Sequence, residues 1–198
     1  MVKSVFIEGA DGTGKSTQIG LLKKLFEERK VKVLFLREPG GSGYYEALRE
    51  FYLQSKHEHP PISDALLSAA GRAANIIETK QALASGKWVV TDRAYPSSYV
   101  YQSVQGVPLA DIRAINAFAL GEFDYDIKIL LDVSVEVAEQ RINQSGAEKD
   151  HWESQGKRFF EKIRQTYLDI AKSENCHIID ASGDAASIHQ QIIALIDL

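Results

Sequence analysis

Three features of the 198-residue sequence predict an α/β fold built on a five-stranded parallel sheet. Strand, glycine-rich loop, helix and strand follow one another within the first 36 residues. Five short apolar runs, at 2–7, 31–36, 88–91, 127–133 and 176–179, alternate with helical patterns. The run at 127–133 is apolar almost throughout, as expected of a parallel strand covered on both faces.

Taken in order, residues 15–29 repeat Ile19, Leu22, Leu25 and Phe26 at helical spacing with charges between them. Pro39, Gly40, Gly41 and Gly43 predict a loop, and residues 45–54 a helix. Pro60 and Pro61 punctuate the chain before a long helix over 63–85, which Gly86 can end. A helix is expected over 109–120, closing near Gly121, and another over 135–143. Residues 144–156 are polar, mixed in charge and carry two glycines, which predicts a lid. Residues 157–173 place Phe160, Ile163, Tyr167 and Ile170 on one stripe, and 185–196 form the last helix. No internal repeat or linker interrupts this order, so one domain is expected over 1–198.

Composition narrows the function classes. A content of 44% hydrophobic and 25% charged residues fits a soluble globular chain rather than a disordered or collagenous one. The net charge is -4 and no long Lys/Arg block occurs, so nothing calls for nucleic acid as a partner. The single cysteine, Cys176, can form neither an internal disulfide nor a cysteine-based zinc site; it reads as a small apolar strand residue. No run reaches the ~20 apolar residues that span a bilayer. The first residues enter a strand without a signal-peptide pattern, so the expected location is cytoplasmic.

The strongest local signal is Gly9-Ala10-Asp11-Gly12-Thr13-Gly14-Lys15-Ser16, followed by Thr17. It matches the G-x-x-x-x-G-K-[ST] phosphate loop in full, between a strand and a helix. The glycines let backbone N–H groups turn toward phosphate oxygens, and the following helix N-terminus adds unpaired donors. Lys15 can reach the β and γ phosphates of a nucleoside triphosphate, and the Ser16 hydroxyl can bind magnesium. Asp92 ends an apolar strand at the edge where open α/β sheets bind ligands; it either serves the magnesium site or caps the next segment. A polyphosphate-using enzyme with Mg2+ is therefore expected.

The acceptor must be read from elsewhere. Arg37 and Arg93 stand at two strand ends that converge on one crevice in a parallel sheet, where guanidinium groups suit a second phosphate. Asp11 can accept a hydrogen bond from an acceptor sugar, orient Arg37, or stabilise the loop. The segment Asp92-Arg93-Ala94-Tyr95-Pro96-Ser97-Ser98-Tyr99-Val100-Tyr101-Gln102 combines hydroxyls, rings and an amide suited to a nucleobase pocket. Tyr99 and Tyr101 either line that pocket or pack in the core.

Several blocks, in the same order, resemble the thymidylate kinase family of P-loop nucleoside monophosphate kinases. They are FIEGADGTGKSTQ, REPGG with Arg49 downstream, the helix segment 66–72, DRAYPSSYVYQ, and ILLDV with Arg141 after it. The resemblance implies a three-layer α/β/α fold with strand order 2-3-1-4-5, ATP as donor, and dTMP as the acceptor that becomes dTDP. It implies that Asp11 binds the deoxyribose 3′-hydroxyl region, that Arg37 and Arg93 hold the acceptor phosphate, and that Arg72 meets the thymine edge. Ser97, Ser98 and Gln102 would support the monophosphate site, with Tyr101 beside them. Many members form homodimers.

Two departures stand out. The family's thymine-stacking phenylalanine, four residues before the helix arginine, is Ser68 here; Tyr95 or Tyr99 could replace it. The catalytic arginine of the phosphate loop would fall at Gly12, and the arginine of the lid's Asp-Arg-x-Glu stretch at His151. Lys149, Lys157 or Arg158 could supply that charge instead, and Arg141 matches the arginine at the lid base. A kinase for another nucleoside monophosphate, or for a deoxynucleoside with Glu8 or Glu38 as base, stays open, as does a non-catalytic nucleotide-binding homologue.

Overall fold

The computed structural model describes residues 1–55, 59–145 and 156–198. Strands β1 (Ser4–Glu8), β2 (Val33–Arg37), β3 (Trp88–Asp92), β4 (Ile127–Asp132) and β5 (His177–Asp180) form one sheet in the order β2-β3-β1-β4-β5. All four neighbouring pairs are parallel. The expected fold class and strand order are therefore observed. The register aligns Ile7 and Arg37 with Asp92, and Asp132 with Asp180. The carboxyl ends of the strands thus carry most of the sheet's charged residues to a single edge.

Alternation along the strands explains the layers. Val5 and Ile7 of β1, Val90 of β3 and Ile129 and Leu131 of β4 face a core shared with helices α1 (Lys15–Glu28) and α8 (Ala185–Ile196). Phe6 and Leu130 point the other way. They meet α3 (Pro61–Ala84), α4 (Tyr95–Val104), α5 (Leu109–Leu120) and α7 (Lys157–Ser173). The remaining helices are α2 (Gly43–Gln54) and α6 (Val135–Ser145). Phe6 is fully buried and meets Tyr95 and Tyr125 edge-on, at 5.8 and 5.1 Å between ring centres. Phe6→Ala is expected to cost about 3–5 kcal/mol through the cavity it leaves. Urea unfolding would report this as a lower midpoint at unchanged slope.

Several boundaries shift for local reasons. Val31 does not begin β2, because Lys30 adopts a left-handed turn and the Val31 N–H closes α1 on the Phe26 carbonyl. Pro61 starts α3 two residues earlier than its pattern predicts, at a position where a missing N–H costs nothing. Cys176 precedes β5 rather than lying in it; it is half-buried, and burial pushes its thiol up to about 12. Gln144 belongs to α6 rather than to a lid. Helix α4 covers most of the segment that its residue types mark only as suited to a nucleobase pocket.

Candidate active site

The loop after β1 begins with the chain folded tightly against its neighbours. A Cβ on Gly9 would meet the Leu131 carbonyl at 2.5 Å, and one on Gly12 the Ala138 carbonyl at 2.6 Å. Both glycines have positive φ, so no larger residue fits either the space or the backbone. Gly14, at φ 93, is the N-cap of α1, and its carbonyl accepts from the Gln18 N–H at 3.1 Å. Lys15 lies buried across the loop, its Nζ donating to the carbonyls of Gly9 and Ala10 at 2.9 Å each. Burial, helped by the nearby Arg93 charge, pushes the Lys15 ammonium down to about 8. The unfolded chain therefore holds that proton more tightly. Stability rises with pH between about 8 and the ordinary lysine range.

Arg93 and Glu8 form the centre of the site. Arg93 follows β3 with φ 66, its N–H bonded to the Ile7 carbonyl. Its guanidinium donates to the Gly9 carbonyl and the Tyr167 hydroxyl, each at 3.1 Å, and pairs with Asp11. It also lies 5.8 Å from the Tyr101 ring centre. Asp11 also accepts from the Tyr101 hydroxyl, at 3.5 Å. Burial raises the Asp11 pKa, but Arg93, Lys15 and Tyr101 outweigh it and hold the carboxyl below the usual aspartate range. Asp11 thus orients Arg93 and not Arg37.

Glu8, only 1% exposed, accepts from the Ala94 N–H at 2.8 Å, the Ser97 N–H and hydroxyl, and the Tyr167 hydroxyl. It fastens the start of α4 to the phosphate loop. A carboxylate so fully engaged is poorly placed to take a proton from an acceptor hydroxyl.

Beyond Arg93 opens a cavity of about 300 Å³. Asp11, Arg93, Ser97 and Tyr101 line it near the phosphate loop. Glu38, Arg72, Ser98 and Gln102 line its inner part, and Arg49, Ser68, Tyr45, Tyr52, Leu53 and Asp64 are also in its wall. Arg72 is 2% exposed and grips Glu38 Oε2 with Nε and Nη2 at 2.8 and 2.6 Å. Its remaining donors reach Asn116 and, at 3.3 Å, Ser98. Glu38 Oε1 and Gln102 Oε1 are buried without a hydrogen-bond partner among the described residues, which leaves two acceptors free for a ligand's donors. Burial raises the Glu38 carboxyl above its ordinary range despite Arg72.

The structure thus brings nine of the ten candidate substrate residues to one cavity, and Arg37 is the exception. Its side chain is 56% exposed and forked onto Glu46, with Nε and Nη2 at 3.1–3.2 Å from that carboxylate. Tyr95 and Tyr99 do not replace a ring at Ser68; both are buried in the core between the sheet and α7. The pattern missed Tyr45 and Tyr52, whose place in the cavity depends on how α2 packs on α3. Arg141 lies beside the phosphate loop, bonded to the carbonyls of Ala181 at 2.9 Å and Gly12 at 3.5 Å. Lys157 pairs with Glu136 at 2.5 Å, and Arg158 is exposed at the start of α7. Lys149 and His151 lie outside the described residues.

A magnesium ion fits this donor set in one particular way. Among the described residues, no group of three or more His, Cys, Asp or Glu side chains could hold a metal by itself. Asp92 Oδ1, at the end of β3, is buried without a hydrogen-bond partner among the described residues. The Ser16 hydroxyl, exposed in the first turn of α1, and this spare carboxylate oxygen are the kind of oxygen donors magnesium takes beside nucleotide phosphates and waters.

Comparison with known proteins agrees with this geometry. The model of the thymidylate kinase family matches residues 7–192. A thymidylate kinase of Symbiobacterium thermophilum is 39% identical over 98% of this chain and 93% of its own length. One of Neisseria meningitidis serogroup B is 36% identical over 98% and 95%. Among solved structures, a thymidylate kinase from Ehrlichia chaffeensis superposes with a TM-score of 0.78 and 27% identity, covering 100% of this chain and 99% of that one. With the family model spanning nearly every residue and relatives matched end to end around a phosphate loop that shares its wall with a second cavity, the chain belongs to the thymidylate kinase family.

Proposed function

We propose that the protein transfers the γ-phosphoryl group of ATP to dTMP, giving dTDP and ADP. The observation that carries this reading is the shared wall: Asp11, inside the phosphate loop, and Arg93 also line the cavity that holds Arg72. Two phosphorylated ligands can therefore meet end to end.

The acceptor is itself a phosphate oxygen, anionic near neutral pH, so no general base is needed. That oxygen attacks the γ-phosphorus in line. The bond from the γ-phosphorus to the β,γ-bridging oxygen breaks, and its electron pair leaves with ADP. Lys15 exchanges the Gly9 and Ala10 carbonyls for phosphate oxygens and neutralises the charge that spreads during transfer. Arg93, preset by Asp11 and Tyr167, holds the acceptor phosphate in line. Arg141, beside Gly12, and Arg49, at the cavity, complete the cationic surround, with Arg37 joining if it releases Glu46. Arg72, Ser98 and Gln102 take the thymine edge, and Tyr101 packs beside the sugar held by Asp11. Ser16 and Asp92 would hold magnesium, which would supply positive charge against the phosphates of the bound nucleotide. Lys149, His151, Lys157 and Arg158 are the lid candidates for the remaining positive charge. The reading places this chemistry in one cytoplasmic domain.

The test is a panel of acceptors with Mg-ATP: dTMP, dUMP, CMP, GMP, AMP and thymidine. The expected order has dTMP first by kcat/KM. Equal or better turnover of another monophosphate, or of thymidine, would overturn the assignment.

We also propose a homodimer formed through α3. Ile62, Leu66 and Ile77 are exposed, and helical spacing places them within about 60° on one face together with Ala70 and Ala73. An uncharged apolar stripe about four turns long on an open helix face is an interface signature. No helix among the described residues is long and apolar enough to cross a membrane, so a bilayer-spanning role does not account for the stripe. Leu66→Glu is expected to halve the mass seen by light scattering; an unchanged mass would remove α3 from the interface.

A further inference from the structure

Arg37 stays out of the cavity wall, and its partner explains where it goes instead. Glu46, in the first turn of α2, gathers three donors on one carboxylate. Its Oε1 accepts from Arg37 Nε at 3.2 Å and from the Gly41 N–H at 2.9 Å, while Arg37 Nη2 lies 3.1 Å from each oxygen. The Arg37 hydrogen bonds, followed by that of Gly41, hold the Glu46 carboxyl below the usual glutamate range. The pair is therefore fully charged at neutral pH.

The loop between β2 and α2 is shaped around this pair. A Cβ on Gly40 would meet Glu46 Oε1 at 2.6 Å and Arg37 Nε at 3.1 Å, and one on Gly41 would meet the Arg37 carbonyl at 3.0 Å. Both glycines have positive φ, 116 and 103, so neither the space nor the backbone admits a larger residue. Asn75 of α3 closes the other side. Its Nδ2 donates to the Gly40 carbonyl at 2.8 Å, and its Oδ1 accepts from the Ser42 N–H at 2.9 Å.

Two cationic groups of the cavity are attached to the same loop. Glu38, next to Arg37, is the carboxylate that grips Arg72. The Pro39 carbonyl accepts from Arg49 Nη1 at 3.1 Å, and Arg49 follows Glu46 by three residues on α2. A shift of residues 37–41 would therefore move the arginine assigned to the base edge and an arginine assigned to the phosphate surround together.

We infer that Arg37 and Glu46 are a positioning pair: their clamp fixes the loop 37–41 and, through Glu38 and Pro39, sets Arg72 and Arg49 for the acceptor. Arg37 then keeps Glu46 in the working enzyme and does not bind the acceptor phosphate itself. The inference rests on the functional reading above and adds two positioning residues to it. An exposed ion pair contributes little to stability, so the clamp should show in acceptor kinetics and hardly in melting. The opposite role, a phosphate ligand that Glu46 holds in check, predicts the opposite sign for loss of Glu46.

The experiment compares wild type, Arg37→Met, Glu46→Ala, Glu46→Gln and the double variant Arg37→Met/Glu46→Ala in steady-state kinetics, with melting temperature beside them. Arg37→Met and Glu46→Ala are each expected to raise KM for dTMP about five- to ten-fold. KM for ATP should move less than about two-fold, because the phosphate loop is untouched. The double variant should be no worse than the worse single, since one clamp can be lost only once. Glu46→Gln keeps an acceptor for Gly41 and Arg37, so it should fall between wild type and Glu46→Ala. Melting temperatures should stay within about 3 °C of wild type.

A KM for dTMP that is unchanged or lower in Glu46→Ala would overturn the inference while leaving the kinase reading intact; with KM raised in Arg37→Met, it would make Arg37 a phosphate ligand restrained by Glu46. Additive losses in the double variant, or equal losses toward ATP and dTMP, would overturn it too. A wild-type enzyme inactive on dTMP would overturn both.

Discussion

Lys15→Ala is expected to lower kcat by about 10³-fold or more, with the fold intact. The ammonium is the cation best placed to follow charge from the γ-phosphate to the leaving ADP, and a preorganised group of that kind typically carries several kcal/mol of barrier reduction. The same side chain is a burden to the empty protein. Its charge is buried, and burial pushes it down to about 8. Its removal strands neither carbonyl it contacts: Gly9 still accepts from Arg93 at 3.1 Å, and Ala10 from the Thr13 hydroxyl at 2.8 Å. The ligand-free variant should therefore melt at the same temperature as wild type or higher. Differential scanning calorimetry beside a coupled ADP assay would check both halves. Lost activity with a collapsed melting temperature would contradict this account of Lys15.

Arg93→Met is the second large effect. Methionine keeps the length and apolar bulk of the side chain but removes every donor. The contacts to Asp11, the Gly9 carbonyl and Tyr167 would be lost together, along with the group assigned to the acceptor phosphate. We expect kcat/KM for dTMP to fall about 10³-fold, with KM for ATP changed far less, because Lys15 and the loop N–H groups remain. Arg93→Lys should recover only part of this. One ammonium cannot serve a carbonyl, a phenol and a carboxylate in the fixed fork of a guanidinium. Equal losses toward both substrates would instead mean that Arg93 chiefly braces the loop.

What could be read from residues alone follows from which interactions are local. The phosphate loop was legible because a left-handed backbone pressed against a neighbouring carbonyl admits only glycine, so Gly9 and Gly12 mark it in the sequence itself. The strands were legible from unbroken apolar runs, and their alternation follows once both faces are seen to be covered. Helix α4 was not, because Pro96 and the hydroxyls of Ser97 and Ser98 resemble a loop until Glu8 is seen to bind the Ala94 and Ser97 N–H groups from 86 or more residues away. Arg37 and Arg93 look equivalent at their strand ends, and only the packing of α2 reveals that Glu46 claims Arg37. Tyr45, Tyr52, Tyr95 and Tyr99 are likewise indistinguishable by type. Which of them reach the cavity depends on helix positions that no local pattern encodes.

The most direct measurement is simultaneous quantitation of dTDP and ADP by anion-exchange chromatography as the wild-type protein meets Mg-ATP with and without dTMP. Direct transfer between the phosphate loop and the neighbouring cavity predicts one dTDP for each ADP, with negligible ADP when dTMP is left out. ADP without matching dTDP, or neither product from folded protein, would contradict it.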